Sequence, residues 1–199
     1  MNIYRSRNNK KINSQIEVNN IEKFESFING QAKEPYKKLR IGLSSVGKSG
    51  CGIISSYNAL LLLGKNPSFS DMLDEFEANH SLVLAGVLGV HIFFIYTYFK
   101  KLGYNLKFYI LPSKKKLDVV CKLHRANIVL FFHGRGNHYV CVDYMAEKGL
   151  YRILNRYSNS TGAMYLNSLK GLSKNNAKSR KIALVLFCIG IENNKWGYT

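Results

Sequence analysis

The sequence predicts an α+β protein in which N-terminal helices pack on a C-terminal antiparallel sheet. Two observations carry this. Apolar residues recur at helical spacing up to about residue 102, and from 105 onward they fall in short β-rich runs separated by glycine-containing turns. Helices first and strands later, without βαβ alternation, exclude a doubly wound sheet. At 199 residues, 46% hydrophobic and 13% aromatic, the chain can build one domain with a real core.

The elements follow in order. Residues 1–19 are polar and basic and read as a mobile arm; residues 20–199 read as a single domain. "NNIEKFESFING" (19–30) has Ile21, Phe24 and Phe27 at helical spacing and closes on Asn29-Gly30, which predicts a short amphipathic helix. "CGIISSYNALLLLG" (51–64) predicts a helix closed by Gly64. "SFSDMLDEFEANH" (68–80) predicts another, with Ser70 as N-cap and acids in the first turns. "LVLAGVLGVHIFFIYTYF" (82–99) has 18 residues without a formal charge, the lower limit for a membrane span. Gly86, Gly89 and His91 interrupt it, so a buried helix from residue 90, closed by Lys100, Lys101 and Gly103, is expected instead of a span. Then come a strand at 105–111, a helix at 114–125, strands at 127–133, 138–145 and 150–157, a polar loop with a short helix at 158–180, and a last strand at 182–191.

The net charge of +17 points to an anionic partner. The cations lie in separated groups (Lys10-Lys11, Lys37-Lys38, Lys100-Lys101, Lys114 to Lys116, Arg180-Lys181) with no interleaved aromatic signature. That favours an acidic protein or peptide over dedicated nucleic-acid binding. Cys51, Cys121, Cys141 and Cys188 form no C-x-x-C pair, and the last three sit among apolar residues, which fits free thiols in a reducing compartment. Residues 1–19 contain no apolar secretory segment, so the protein is expected in the cytoplasm or exported by a non-classical route.

"GLSSVGKSGCG" (42–52) carries two chemistries. From Gly42 it matches the phosphate-cradling pattern G-x-x-x-x-G-K-S of nucleotide hydrolases, with Asp143 as a possible magnesium ligand. That loop needs a buried parallel strand ahead of it, but "YKKLRI" is too basic, and Gly50 and Gly52 would fall in the first turns of its helix. From Gly50 it is a cysteine at a helix start, where free N–H groups favour a thiolate and can hold an oxyanion. Among the five histidines, His138 opens a strand after a glycine turn and is the best-placed base. His91 reads as a core group, and His80 and His124 have no distinguishing context. A metal site from His133, His138 and Cys141 is disfavoured, because an odd separation puts His138 and Cys141 on opposite strand faces. Asn155, at the end of the next antiparallel strand, returns beside His138 and can orient it; Asp143 is too far along the His138 strand.

"GCGIISSYNALLLLG", "GVHIFFIYTYFKKLGY", "NHYVCVDY" and "YRILNRYSN", in this order over about residues 40–190, resemble papain-like cysteine peptidases, nearest the bacteriocin-processing, double-glycine-leader type. The resemblance implies a papain-like fold, a peptide or protein substrate, no cofactor and no metal. It implies Cys51 as nucleophile, His138 as base and Asn155 as orienter. The glutamine that the family places six residues upstream is replaced by Ser45, and Ile53 and Arg156 stand where the family has proline. The oxyanion donors would then be the Cys51 N–H with Ser44 or Ser45. The expected reaction is cysteine-dependent acyl transfer, most simply peptide hydrolysis, with deamidation or transamidation open to the same chemistry. The alternatives are a peptidase-like module that binds a peptide or acidic partner without cleaving, and the phosphate-loop hydrolase.

Overall fold

The computed structural model describes residues 3–79, 81–133, 136–173 and 184–192; His80 and the Arg180-Lys181 pair lie outside them. The N-terminal half holds helices α1 (Ile3–Val18), α2 (Ile21–Phe24), α3 (Val46–Ser49), α4 (Cys51–Leu62), α5 (Phe69–Ala78) and α6 (Ile92–Lys101), with a two-stranded hairpin of β1 (Arg40–Ile41) and β2 (Ser44–Ser45) before α3. The C-terminal half holds β3 (Asn105–Ile110), helix α7 (Lys114–Leu123), β4 (Ala126–Phe132), β5 (Asn137–Met145), β6 (Leu150–Leu154), β7 (Met164–Leu166) and β8 (Leu184–Glu192). These six strands form one antiparallel sheet in the order β3-β8-β4-β5-β6-β7. The α+β class, with N-terminal helices packed on a C-terminal antiparallel sheet, is the observed one.

The period-two alternation of the central strands makes two cores. Ile128 and Leu130 of β4, with Tyr139 and Cys141 of β5, join the core under α4, α5 and α6. Val129 and Phe131, with Val140 and Val142, face the other side and pack against Leu117, Val120 and Cys121 of α7. Helix α4 is apolar nearly all round because it lies inside: Ile53, Ile54 and Tyr57 are fully buried. Burial of each such side chain is worth about 1.5–3 kcal/mol.

Several expectations differ from what is seen. Residues 3–18, expected within a mobile arm, form α1. Its inward face is polar: Asn9 donates to Gly42 O and Glu77 Oε1, Asn13 bonds both main-chain groups of Arg40, and Glu17 receives the Phe69 and Ser70 N–H groups. These residues stand four apart, one above another on a helix. The 19–30 helix shrinks to α2 because residues 27–31 leave the helix to form main-chain bonds elsewhere, such as Ile28 N–H to Asn58 Oδ1. Ser68, not Ser70, caps α5, accepting from the Asp71 N–H at 3.2 Å. The 158–180 loop contains β7 and a 3-10 turn at Leu169–Ser173; residues 174–183 lie outside the described residues. Among the described residues no helix is long and apolar enough to cross a membrane.

Glu17 holds α1 onto α5 by supplying a carboxylate to a helix N-terminus. Glu17→Ala is therefore expected to lower unfolding free energy by about 1–2 kcal/mol, read as a shifted urea midpoint. A mobile arm would give no change.

Candidate active site

Cys51 is the first residue of α4, and the flanking glycines set how it gets there. A Cβ on Gly50 would stand 2.5 Å from Val46 Cγ1, so only glycine permits the tight junction between α3 and α4. A Cβ on Gly52 would stand 3.3 Å from Val90 Cβ and 3.4 Å from Tyr139 Cδ2, so glycine lets the helix start approach β5 closely. The thiol is half-buried. Burial pushes its pKa above the ordinary thiol value, and N–H groups of Tyr139, Gly52 and Cys51 itself, aimed at the sulfur, pull the other way without winning. The sequence-based expectation of a thiol lowered by the helix terminus is corrected here: desolvation outweighs the helix start.

The N–H of Tyr139 that meets the sulfur is two bonds from the His138 Cα, so Cys51 lies against the main chain at the start of β5. The His138 ring shares the strand face of Val140 and Val142 and sits edge-on to Phe131 at 5.7 Å. Among the described residues its hydrogen bonds do not include the Cys51 thiol. Its Nε2 bonds the Asn155 carbonyl oxygen at 2.7 Å, which makes Nε2 the protonated nitrogen and leaves Nδ1 a bare acceptor. Burial lowers the His138 pKa to about 4; the Asn155 carbonyl opposes this, and the Arg156 and His133 charges add to it. Both groups of the pair are thus neutral at pH 7.

Asn155 does approach the second nitrogen of His138, but through its main chain. Its side chain is fully buried and does something else. Oδ1 accepts the Gly30 and Gln31 N–H groups, each at 3.2 Å, and Nδ2 donates to Gln31 Oε1. Its own N–H donates to Asn29 Oδ1, and its φ of 57° is a left-handed value that asparagine tolerates better than most residues. Gln31 Nε2 in turn donates to Gly47 O at 3.3 Å, in the helix just before Cys51. Gln31 is the residue that sequence reasoning missed. It lies 20 positions upstream of Cys51 in an irregular stretch, and no local pattern marks it.

Of the serines, Ser44 Oγ is engaged with Ser49 Oγ at 2.6 Å. Ser45 occupies the N-cap of α3 without a side-chain cap bond and opens on a cleft shared with Lys37, Lys38, Arg40 and Lys48. The phosphate-loop geometry is not what residues 42–49 adopt. The strand before Gly42 is two residues long and antiparallel to β2, and Lys48 is exposed on α3. Asp143 is held by Arg152 in a two-point ion pair, both bonds 2.9 Å. His91 is no core group: it is the exposed N-cap of α6, its Nδ1 accepting from the Phe93 N–H. His124 is buried, with Nδ1 against Val120 O.

The depressed His138 pKa fixes a pH dependence of stability. Unfolded, the ring titrates near 6.5; folded, near 4. Between these values the unfolded chain takes up a proton that the folded chain refuses, so stability falls as pH drops through that window. The loss is on the order of 3 kcal/mol once both forms are protonated. Urea unfolding at pH 7, 5.5 and 4 should show the loss in the wild type beyond that in His138→Gln. Equal slopes in the two proteins would mean an ordinary, solvated histidine.

The chain matches no family model, and no curated protein matches it.

Proposed function

We propose that this protein is a cysteine-dependent acyl-transfer enzyme of the papain-like kind, acting on a peptide bond, with Cys51 as nucleophile and His138 as base. The observation that carries the reading is three features gathered where α4 and β5 both begin. The thiol opens a helix, main-chain N–H groups converge on its sulfur, and the adjoining strand begins with a histidine whose Nε2 is already tied down. A buried structural thiol has no use for that arrangement.

Both side chains start neutral, so the proton leaves sulfur during attack, not before it. The His138 ring rests on the Val140 face, so it must first reach round the start of β5 to the thiol; Sγ then attacks the carbonyl carbon as the thiol proton passes to His138 Nδ1. The imidazolium formed keeps its Nε2–H on the Asn155 carbonyl, which stabilises the new charge. Negative charge grows on the substrate oxygen, where the N–H groups at the start of α4, aimed at the sulfur in the resting protein, can donate. Ser45, uncommitted at the N-cap of α3, is the side-chain candidate for a second donor; Ser44 is already bonded. Collapse expels the amine, which takes the proton from His138, and water then hydrolyses the thioester.

A second reading is a module that binds a peptide or an acidic partner without cleaving it. One observation favours it: among the described residues the thiol and the imidazole share no hydrogen bond, and the thiol is pushed up, not down.

Iodoacetamide separates the two. Cys51 should react slowly at pH 7 and faster above the ordinary thiol range near 8.5, while Cys121, Cys141 and Cys188, all 0% exposed, stay unlabelled. If His138 is the base, His138→Gln should slow labelling of Cys51 near neutrality, as peptide mapping would read. Unchanged labelling supports the non-cleaving module. For any peptide substrate found by profiling, Cys51→Ala should abolish turnover.

Asn155→Ala tests the orienter. It leaves two buried N–H groups unpaired and puts alanine in a left-handed conformation, so stability should fall by about 2–4 kcal/mol. At a temperature where the variant remains folded, Cys51 labelling should match the wild type, because the orienting oxygen is main chain. Loss of reactivity in the folded variant would return the role to the side-chain amide.

A further inference from the structure

We propose that the cleft beside His138 is a subsite for a carboxylate, held by the Arg156 guanidinium. The cleft, of about 170 Å³, is lined by His133, His138, Arg156, Tyr157 and Ser158. Arg156 is only 3% exposed. Its guanidinium lies between two aromatic rings, with the Cζ atom 4.7 Å from the centroids of both Phe131 and Tyr157. Nη2 donates to Leu172 O at 3.0 Å, and Nε, fully buried, has no hydrogen-bond partner among the described residues. Among the described residues no carboxylate faces it.

A buried guanidinium without a counter-charge is costly, and proteins rarely keep one that does nothing. A half-buried arginine on β6 shows the contrast: Arg152 has its carboxylate, Asp143, in a two-point pair. Arg156 has the same guanidinium with no carboxylate opposite it among the described residues, and it borders a cleft that reaches the candidate base. Guanidinium matches carboxylate geometry in particular. The charge count points the same way. His138 is neutral at pH 7, its protonation opposed by burial and by Arg156 itself, so it adds no second cation for a phosphate dianion. A monoanion on Arg156 balances the cleft. That this carboxylate belongs to the substrate, as an acidic side chain or a C-terminus next to the reacting bond, rests on the acyl-transfer reading; the binding itself does not.

The His138 ring reports occupancy. It faces Arg156, His133, Phe131 and the Asn155 carbonyl, and an anion on Arg156 alters the charge it sees. At pH 7, N-acetyl-glutamate α-amide, whose one carboxylate is on the side chain, should shift the His138 ring resonances saturably in an NMR titration, while the uncharged N-acetyl-glutamine α-amide should not. Inorganic phosphate should compete no better than its ionic strength accounts for. Arg156→Met keeps the volume and removes the charge. It should weaken binding of N-acetyl-glutamate α-amide at least about tenfold, and its melting temperature should equal or exceed that of the wild type. Arg156→Lys, which keeps the charge and loses the fork, should bind several-fold more weakly than wild type and guards against a methionine variant that fails to fold. Cys51→Ala should bind as the wild type does, so that loss of catalysis and loss of the subsite are told apart. Equal shifts from the glutamine and glutamate α-amides, unchanged binding in both Arg156 variants, or tighter binding of phosphate than of N-acetyl-glutamate α-amide would each overturn the assignment.

Discussion

Asn155 is the point on which the two halves of the molecule are joined. It ends the sheet strand next to the one that carries His138, and each of its polar groups is committed. The carbonyl fixes the imidazole, the N–H meets Asn29, and the side-chain amide closes on Gly30 and Gln31. Through Gln31 the chain of bonds continues to Gly47, four residues before Cys51. The candidate nucleophile stands on the helical side of this network and the candidate base on the sheet side. Their relative position is therefore set by buried hydrogen bonds, not by loops. Because these groups are buried, breaking one link leaves donors unpaired, a larger cost than the net worth of one bond. The left-handed backbone at Asn155 is tolerable because so many bonds determine it.

What was legible in the sequence is what apolar periodicity writes. Helix α4, with Ile53, Ile54, Tyr57 and Leu60 inside, and the central strands β4 and β5, with unbroken apolar runs, could be read at once. So could Cys51 at a helix start and His138 at a strand start, since glycines bracket the first and a glycine turn precedes the second. Helix α1 could not, because its seam is Asn9, Asn13 and Glu17, and a polar seam looks like a solvated tail until its partners are known. The role of Asn155 was half legible. Strand pairing put it beside His138, but a reading in side chains could not foresee that the carbonyl would face the ring and the amide would turn to residues 125 and 124 positions away. Gln31 was invisible for the same reason: its contacts are all long-range.

Desolvation governs the site's electrostatics more than any nearby charge. It raises the Cys51 thiol against three N–H donors and lowers His138 against a carbonyl acceptor. A thiolate–imidazolium pair would place two charges where the protein resists either one. A carbonyl placed on the Cys51 side changes this balance only as charge develops on it, so stabilisation comes in the transition state and not before.

The protein's charge is organised by the same economy of acids. With 12 acidic residues against 29 cations, several acids are consumed by the fold: Glu17 and Glu77 on main-chain N–H groups, Asp74 on Lys10, Asp143 on Arg152. Few carboxylates are left to oppose the surface lysines, and the field of the whole molecule is positive. Such a field steers anionic peptides from beyond contact and weakens with salt over a Debye length of about 8 Å at physiological ionic strength. Steering alone selects no residue. Selection needs a desolvated cation at a fixed position, where screening is weak and geometry counts, and Arg156 is that cation. On the proposed carboxylate subsite, the surface charge would govern how fast an acidic ligand arrives, and the buried guanidinium where its carboxylate rests.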